Sequence, residues 1–412
     1  MSKLTSTSPN PIVVRQPNKS LTFIFISSCC EYWGGSEELW SEAARYLKQQ
    51  GFTVHAFKNQ VKRDKRIQGL KADGIEVKDI AILVRLLRKF SFYINIQSFL
   101  QKIQLFKYKN PHRQFKKIQP YLFIISQGEN YDGVEIAKVC LELNLPYVII
   151  SQKASDPVWP HGKKRQMMQE VYEKAKSAFF VSQHNLSLTE AQIGYSLTNA
   201  EVVRNPHRAI IREALPYPQP ENDYFKIACV GRLWILDKGQ DVLLRVLAED
   251  KWQNRNLHIS FFGQGVDRDG LIDMAKLLGL KNVSFPGFVN NIVDIWHDHH
   301  ALIMPSRAEG LPIALVEAMM CGRPGIVTDV GGISEVVEDD ITGFIAKGAF
   351  FAAIDEALER AWQRRYEWEY IGKEASISIR KQIPPHPERV FANKLLQLSG
   401  LEVNSGLIGD KI

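Results

Sequence analysis

The stretch ALIMPSRAEGLPIALVEAMMCGRPGIVTDV, residues 301–330, contains the pattern of a strand, a helix and a second strand in close succession. The first strand is predicted to end at Ser306, Glu309 and Gly310 form a turn, and Pro312 falls in the first turn of the helix, where proline is favoured. Units of this kind build parallel sheets that are covered by helices. The stretch therefore predicts an α/β domain with a parallel sheet.

The same alternation of strands and helices extends in both directions along the chain. Short β-branched and aromatic runs predict strands in the first half, namely LTFIFISS, FTVHAF, YLFIISQ, YVIISQ, AFFVSQ and AEVVRN. After an interruption they recur as FKIACVGRL, LHISFFGQG, VSFPGFV, ALIMPS and PGIVTDV. We therefore predict two Rossmann-like α/β domains, each a doubly wound parallel sheet.

The chain length agrees with two domains, because 412 residues exceed what one hydrophobic core usually sustains. The proline-rich segment PYPQPEND, residues 216–223, predicts a linker between them. The predicted organisation has four parts: an N-terminal Rossmann-like, acceptor-side domain (1–205), a linker (206–223), a C-terminal Rossmann-like domain (224–375) and a helical tail that packs back toward the N-terminal domain (376–412).

Charge is distributed unevenly along the chain. Residues 1–205 carry 29 Lys and Arg against 17 Asp and Glu, whereas the remainder carries 23 against 28. The basic half predicts an anionic partner.

The five cysteines include no C-x-x-C pair and indicate neither a disulfide framework nor a zinc site. The apolar run 21–30 is too short to span a bilayer, so we expect a cytoplasmic protein, soluble or peripheral on the membrane.

The basic stretch, residues 81–120, has nine Lys and Arg and no acidic residue, with aromatic residues interspersed. One interpretation is a surface that binds an anionic membrane, in which case the acceptor would be lipid-linked. The other is a solvated basic face above an ordinary core helix. The sequence leaves both open.

Two cations and a helix start form a candidate anion site in the second half. Arg232 follows a predicted strand and Lys238 precedes a helix, so both fall at the carboxyl edge where α/β sheets bind ligands. They suit a diphosphate and would offset the charge on a departing nucleoside diphosphate. The N–H groups from Gly310 onward would bind a phosphate or another anion.

The acids beside this helix are Glu309 and Glu317, which are eight residues apart. Along a helix that spacing corresponds to roughly 12 Å, too far for both to act on one carbon, so we expect them to hold opposite ends of one long ligand. In the first half, Gly34 and Gly35 follow the first strand and allow a ligand to approach the backbone.

Residues 225–345 resemble the family-4 glycosyltransferases, also described as glycosyl transferases group 1, which are retaining enzymes of the GT-B fold. The segments GRL…DKG, FFGQG, VSFPGFV, PSRAEGLPIALVEAMMCGRPGIVTDVGGISEVV and TGFIA occur in the family's order. The resemblance implies two Rossmann-like domains that face each other across a donor-binding cleft. It implies transfer of a sugar from a nucleoside-diphosphate sugar to a hydroxyl acceptor, without a metal or other cofactor.

The resemblance also implies roles for individual residues. Glu309, Arg232 and Lys238 would be catalytic, with the two cations on the diphosphate and Glu309 facing the transferred sugar. Glu317 would hold the ribose. The remaining donor-binding positions are the two glycines of the other domain, those near the nucleobase and those near the helix start: Gly34, Gly35, Gly263, Phe288, Val289, Gly310 and Leu311.

One position departs from the family. Where such enzymes commonly carry a histidine after a strand, this chain has Gln152, which can bond a sugar hydroxyl but cannot titrate. Glu129 and Asp132 are alternative acceptor-side groups.

Other interpretations compete with these. Asp267 and Asp269 have the spacing of a metal-binding D-x-D motif, but capping of a helix is favoured. Residues 297–300 include three histidines that we interpret as a polar helix end and not a metal site. As a whole, the chain could instead be a noncatalytic membrane- or nucleic-acid-binding protein, or a nucleotide-sugar epimerase. Nucleic acid is the less favoured partner.

Overall fold

The computed structural model describes residues 22–29, 33–59, 64–80, 120–142, 144–207 and 211–401. The chain divides into two compact units. The first unit comprises residues 1–150, 170–178 and 388–412, and the second unit comprises residues 151–169 and 179–387.

The first sheet has seven strands in the order β3-β2-β1-β4-β5-β6-β7. Its strands are β1 (Thr22–Ser27), β2 (Thr53–Lys58), β3 (Glu76–Asp79), β4 (Pro120–Glu129), β5 (Tyr147–Lys153), β6 (Ala178–Phe180) and β7 (Ala200–Val202). The described helices between them are α1 (Glu38–Gln49), α2 (Lys65–Ala72), α3 (Val134–Glu142), α4 (Gly162–Lys174) and α5 (Gln183–Ile193).

The second sheet has six strands in the order β10-β9-β8-β11-β12-β13. They are β8 (Phe225–Val230), β9 (Leu257–Phe262), β10 (Val283–Gly287), β11 (Ala301–Met304), β12 (Gly325–Thr328) and β13 (Gly343–Ala346). The helices that follow are α6 (Ile235–Lys238), α7 (Gln240–Leu247), α8 (Asp250–Gln253), α9 (Arg268–Leu277), α10 (Ile292–Trp296), α11 (Ile313–Met320), α12 (Phe351–Gln363), α13 (Trp368–Gln382) and α14 (Pro387–Leu398).

Both faces of the second sheet are buried. Along β8, Phe225, Ile227 and Cys229 join one hydrophobic cluster, whereas Ala228 joins another. Successive side chains of a strand point to opposite faces, so two apolar layers form on one strand. A strand that is buried on both sides is typical of a parallel sheet covered by helices.

These observations confirm the predicted fold class, an α/β chain with two Rossmann-like sheets. Two short strands were missed in the prediction, β3 at one edge of the first sheet and β13 at one edge of the second. The predicted domain boundaries stay predictions. Residues 211–220 have no helix or strand, and α13 continues across residue 376.

Within the described ranges, no helix has the length and apolar character that crossing a membrane requires. Nearly all of the basic stretch, residues 81–119, lies outside the described residues.

Candidate active site

Each sheet has one point where the strand order reverses. In the second sheet this point lies between β8 and β11, and in the first sheet it lies between β1 and β4. Ligands of open α/β sheets bind outside the carboxyl ends of the strands at such a switch point. Arg232 follows β8 and Glu309 follows β11, so these two predicted residues lie at the switch point of the second sheet.

Lys238 and Glu309 form the closest contact of the candidate site. The Lys238 Nζ lies 2.5 Å from Glu309 Oε1, and the side chains are 18% and 8% exposed. Ser306 Oγ donates a hydrogen bond to the same carboxylate oxygen at 2.8 Å. A buried carboxylate is therefore held by one charged and one neutral donor, which fixes its orientation.

Asp237 lies between two further cations of the second unit. Its Oδ2 is 2.9 Å from Lys153 Nζ and 3.7 Å from a terminal nitrogen of Arg232. The Arg232 guanidinium also lies 5.1 Å from the ring centroid of Trp234. Arg232 is thus held between a carboxylate and an aromatic ring while 38% of its side chain stays exposed.

The turn before Glu309 is bonded to the turn that carries Lys238. The backbone carbonyl of Asp237 accepts hydrogen bonds from the N–H groups of Arg307 and Ala308, at 2.7 and 3.1 Å. The Arg307 guanidinium forms two parallel bonds to the Asp241 carboxylate, at 2.7 and 2.9 Å. Burial raises the pKa of Asp241, but the bonds from Arg307 outweigh it and hold that pKa below its ordinary value.

Helix α11 places Glu317 in a buried position. Glu317 is 4% exposed, so its carboxylate does not lie on a solvated helix face. The helix begins at Ile313, and Pro312 is its N-cap. The proline therefore precedes the first turn of the helix, whereas the sequence pattern predicts it within that turn. The first N–H groups of the helix precede the helical hydrogen-bond ladder, as at every helix start. Leu311 is 4% exposed and packs in a hydrophobic cluster, so only its backbone can face a ligand.

Two of the predicted ligand glycines are required by the fold itself. A Cβ on Gly263 would lie 1.9 Å from the carbonyl oxygen of Gly231, and Gly263 has a φ of 138°. A Cβ on Gly310 would lie 2.0 Å from the carbonyl oxygen of Gln152. Backbone atoms cannot move away from such a clash, so close packing explains both glycines without a ligand.

Phe288 and Val289 follow β10 at its carboxyl end. Phe288 is 47% exposed, whereas Val289 packs partly against a hydrophobic cluster. An exposed aromatic ring at this edge offers a flat apolar surface.

In the first unit, Gly34 follows Trp33 and is the N-cap of the 3-10 turn Gly35–Glu37, which begins at Gly35. Gly34 has a φ of −131°, which any residue can adopt. Among the described residues, a Cβ at Gly34 would meet nothing nearer than Ser36 Oγ at 3.9 Å. Nothing in the described residues around Gly34 therefore requires a glycine.

Glu129 and Asp132 lie at the carboxyl end of β4. The Asp132 carboxylate accepts the N–H of Glu129 at 2.9 Å, and the Asp132 N–H donates to the Glu129 carbonyl at the same distance. Gln127 Nε2 donates to the Asp132 carbonyl at 2.6 Å. Asp132 thus stabilises the turn into α3.

Gln152 is 5% exposed and lies in an amide network of the second unit. Its Oε1 accepts from Asn205 Nδ2 at 2.8 Å, and its carbonyl accepts from Asn185 Nδ2 at 3.4 Å. Its Nε2 has no hydrogen-bond partner among the described residues. The Nε2 atom is itself buried, so an acceptor hydroxyl could reach it only after a local movement.

Three side chains of the two candidate metal motifs, Asp267, His299 and His300, make hydrogen bonds within the fold. Asp267 caps a helix, but not the one it precedes: its Oδ2 accepts the N–H of Ile235 at the start of α6, at 2.8 Å. His299 and His300 are buried and bond inward, whereas the prediction of a polar helix end fits only the residues before them. His299 bonds Ser260 Oγ at 3.0 Å, and His300 Nδ1 accepts from Lys226 N–H at 2.9 Å.

Sequence reasoning missed Lys153, Asp237 and Ser306. Two of them adjoin a predicted residue, since Lys153 follows Gln152 and Asp237 precedes Lys238, and Ser306 lies three residues before Glu309. Lys153 and Asp237 are partners across 84 residues of sequence, whereas Ser306 bonds the nearby Glu309. The only signal available was their position after a strand or beside a helix end at the carboxyl edge.

Two parallel-sheet Rossmann-like units, each with a switch point, define the GT-B glycosyltransferase fold. Solved structures share this fold over nearly the whole chain. The crystal structure of Anabaena HepE in complex with UDP has a TM-score of 0.69 and 16% identity, and the match covers 92% of this chain and 100% of that one. The apo form of the lipopolysaccharide outer core galactosyltransferase WaaB has a TM-score of 0.66 and 18% identity, with 92% and 99% covered.

Residues 212–376 match the model of the family described as Glycosyl transferases group 1. Curated relatives match part of the chain at higher identity than the solved structures. A D-inositol 3-phosphate glycosyltransferase from Rhodococcus erythropolis is 33% identical over 132 residues, 30% of either chain. An uncharacterized glycosyltransferase from Methanocaldococcus jannaschii is 32% identical over 126 residues, 30% of this chain and 32% of that one. The chain thus spans about a third of the length of the curated relatives it matches.

Proposed function

We propose that the protein is a glycosyltransferase that moves a sugar from a nucleoside-diphosphate sugar to a hydroxyl acceptor, with retention at the anomeric carbon. The observation that carries the proposal is the contact of Lys238 and Ser306 with the buried carboxylate of Glu309 at the switch point of the second sheet. The family match of residues 212–376 supports it.

The donor diphosphate would bind to the positively charged groups of this site. Arg232 is held by Asp237 and Trp234 but still exposed, so its guanidinium can bond a phosphate oxygen. Together with Lys238 and the N–H groups at the start of α11, it would stabilise the charge that grows on the leaving nucleoside diphosphate. The proposal needs no metal ion, because these groups supply the charge.

The two acids would then act on different parts of the donor. Glu309, fixed by Lys238 and Ser306, would face the transferred sugar. Glu317, the fifth residue of α11, is buried and would accept the ribose hydroxyls. Phe288 and Val289 would contact the nucleobase. HepE has been crystallised with UDP and with UDP-glucose, which makes uridine nucleotides the first donors to test.

The acceptor side is the less specified part of the proposal. Gln152 Nε2, which has no hydrogen-bond partner among the described residues, would donate to an acceptor hydroxyl after a local movement, and Glu129 and Asp132 lie at the switch point of the first sheet. Gly34 and Gly35 are the first unit's expected contribution to phosphate binding. The basic stretch, residues 81–120, would bring the protein to an anionic membrane surface on the cytoplasmic face, where a lipid-linked acceptor lies.

The test is a panel of nucleoside-diphosphate sugars, beginning with UDP sugars, without added acceptor. Thermal stabilisation of the protein and slow release of free nucleoside diphosphate are both measured. We expect one donor to raise the melting temperature and to be hydrolysed, and we expect Glu309→Ala and Arg232→Ala to lose at least one of these effects.

Exposed residues provide matched controls. Glu249 and Lys276 lie on the surface of the second unit, so Glu249→Ala and Lys276→Ala should behave like the wild type. If no donor binds, the transferase proposal is overturned, and the noncatalytic membrane-binding alternative becomes the one to pursue.

A further inference from the structure

Glu37 and Lys58 form an ion pair in the interior of the first unit. Their side chains are each 1% exposed, and Lys58 Nζ lies 3.1 Å from Glu37 Oε1. The same oxygen accepts a hydrogen bond from Ser27 Oγ at 3.0 Å. The other oxygen accepts one from Trp40 Nε1 at 2.6 Å. The carboxylate is therefore bonded at both oxygens.

Stability alone does not explain why this pair is buried. Taking two charges out of water costs about as much as their attraction returns, and apolar residues of similar volume often stabilise a fold equally well or better. Leucine and methionine match the volumes of the two side chains. A charged pair at this position therefore suggests a requirement other than stability.

The pair anchors the glycine turn, residues 33–37, because Glu37 is the last residue of that turn and Lys58 binds its carboxylate. The turn leads into α1. Ser27 ends β1 and Lys58 ends β2, and these strands are parallel neighbours. The network thus joins the turn to the carboxyl ends of two strands, beside the switch point between β1 and β4.

The other end of the glycine turn is fixed as well. Trp33 Nε1 donates to Glu38 Oε1 at 3.0 Å. The Trp33 ring lies 5.9 Å from the Trp40 ring, and the Arg66 guanidinium lies 5.8 Å from the Trp33 ring centroid. Gly34, between the two fixed ends, has no described neighbour that would exclude a side chain.

We propose that Glu37 and Lys58 are positioning residues that hold the glycine turn in the conformation that binds the donor phosphates. The proposal rests on the proposed glycosyl transfer. Glu37 fixes the turn through Ser27 and Trp40, and Lys58 neutralises a carboxylate that would otherwise repel a phosphate at the start of α1. The charges of the pair cancel, so it neither attracts nor repels the ligand and acts by fixing the backbone of the turn.

The decisive variant replaces the pair with apolar residues of similar volume, Glu37→Leu together with Lys58→Met. We expect its melting temperature to stay close to that of the wild type. Hydrogen–deuterium exchange of the amides of residues 33–37 should become at least tenfold faster, while α1 stays protected. The KM for the donor should rise at least tenfold, with a smaller change in kcat.

Two further variants separate positioning from folding. Lys58→Met alone leaves a buried carboxylate unpaired, so it should weaken donor binding more than the double variant does. Ser41→Ala removes a buried hydroxyl of α1 whose one bond among the described residues is to the Glu38 carbonyl of the same helix, and it should leave exchange and KM unchanged.

The outcomes distinguish this inference from the proposed function. Unchanged exchange in the double variant overturns the positioning role, whatever the activity. Faster exchange with an unchanged donor KM overturns the link between the turn and the donor. A wild type that binds and hydrolyses no donor of the panel overturns the proposed function and this link, whereas the exchange measurement still decides the positioning role.

Discussion

Gly263, Gly310 and Gly34 look alike in the sequence, yet the structure separates them. Gly263 and Gly310 approach backbone carbonyl oxygens so closely that a Cβ would lie 1.9 and 2.0 Å from them. Gly34 has open space around it among the described residues, and its backbone conformation suits any residue. Close packing thus accounts for two of the glycines, whereas for Gly34 donor binding stays a prediction.

This difference predicts opposite phenotypes for alanine substitutions. Gly34→Ala should leave the melting temperature within about 2 °C of the wild type, as a surface substitution does, and should weaken donor binding at least tenfold. Gly263→Ala should cost at least about 3 kcal/mol of stability, because the clash is with backbone at a positive φ. Thermal denaturation and donor titration measure both. A Gly34→Ala protein as unstable as Gly263→Ala would contradict the assignment.

Several residues of the candidate site could be predicted from the sequence because of their position. Arg232 and Glu309 follow strands, and parallel strands bring their carboxyl ends to one edge. The pairings themselves were not predictable, since Lys238 and Glu309 are 71 residues apart. Lys153 was missed because nothing local indicates that it meets Asp237, which depends on how distant segments pack.

At the scale of elements, the sequence predicted that a residue caps a helix or that a strand is present better than it predicted which helix is capped or where a sheet ends. The aspartate before α9 was expected to cap a helix, but it caps α6 through Ile235. The short strands β3 and β13 were missed, because four residues at a sheet edge carry too little periodic signal. Long buried strands such as β1 and β4 were predicted, because both of their faces are apolar.

The second sheet contains three histidines whose pKa values are lowered by burial. They are His258 on β9 and the neighbours His299 and His300 before β11. Burial lowers the pKa of His300 to about 4. Its Nδ1 accepts the Lys226 N–H at the start of β8, so the neutral ring joins the two central strands.

This predicts a loss of stability at mildly acidic pH. Between pH 6.5 and pH 4 the unfolded chain binds a proton at His300 that the folded chain does not, so the free energy of unfolding falls as the pH falls. From pH 7 to pH 5, His300 alone should account for about 2 kcal/mol. Urea denaturation at both pH values measures this, followed by tryptophan fluorescence.

His300→Asn is the matched variant, because the asparagine oxygen can accept the same N–H but does not titrate. Its pH dependence should be shallower than that of the wild type by about 2 kcal/mol over this range. Equal pH dependence in the two proteins would show that His300 does not remain neutral in the folded state.

For the molecule as a whole, charge is the feature that the fold leaves unexplained. Residues 1–205 have a large excess of Lys and Arg, and nine of these lie in the basic stretch without a single acid. An anionic membrane attracts such a segment by about 1 kcal/mol for each basic residue near the surface. Membrane binding is one of the two interpretations that the sequence leaves open, and it would not depend on a spanning helix.

Replacing three lysines of the basic stretch should weaken binding to anionic vesicles. For Lys102→Gln, Lys107→Gln and Lys109→Gln together we expect up to about a hundredfold loss, since each charge contributes about 1 kcal/mol. Neutral vesicles should bind neither protein, and 0.5 M salt should abolish the difference. Co-sedimentation with vesicles measures this. Lys276→Gln, Lys281→Gln and Lys347→Gln, which are exposed, form the control; an equal loss there would contradict a specific role for the stretch.

The last described helix, α14, belongs to the first unit although nearly the whole second unit precedes it in the chain. It buries Phe391 and Leu395, and the Lys176 Nζ donates to the Leu398 carbonyl at 3.2 Å. During synthesis, domains generally fold as units as they leave the ribosome. Here the first unit cannot complete its fold until its final helix has left the ribosome. The second unit can therefore finish folding first, the reverse of the usual order.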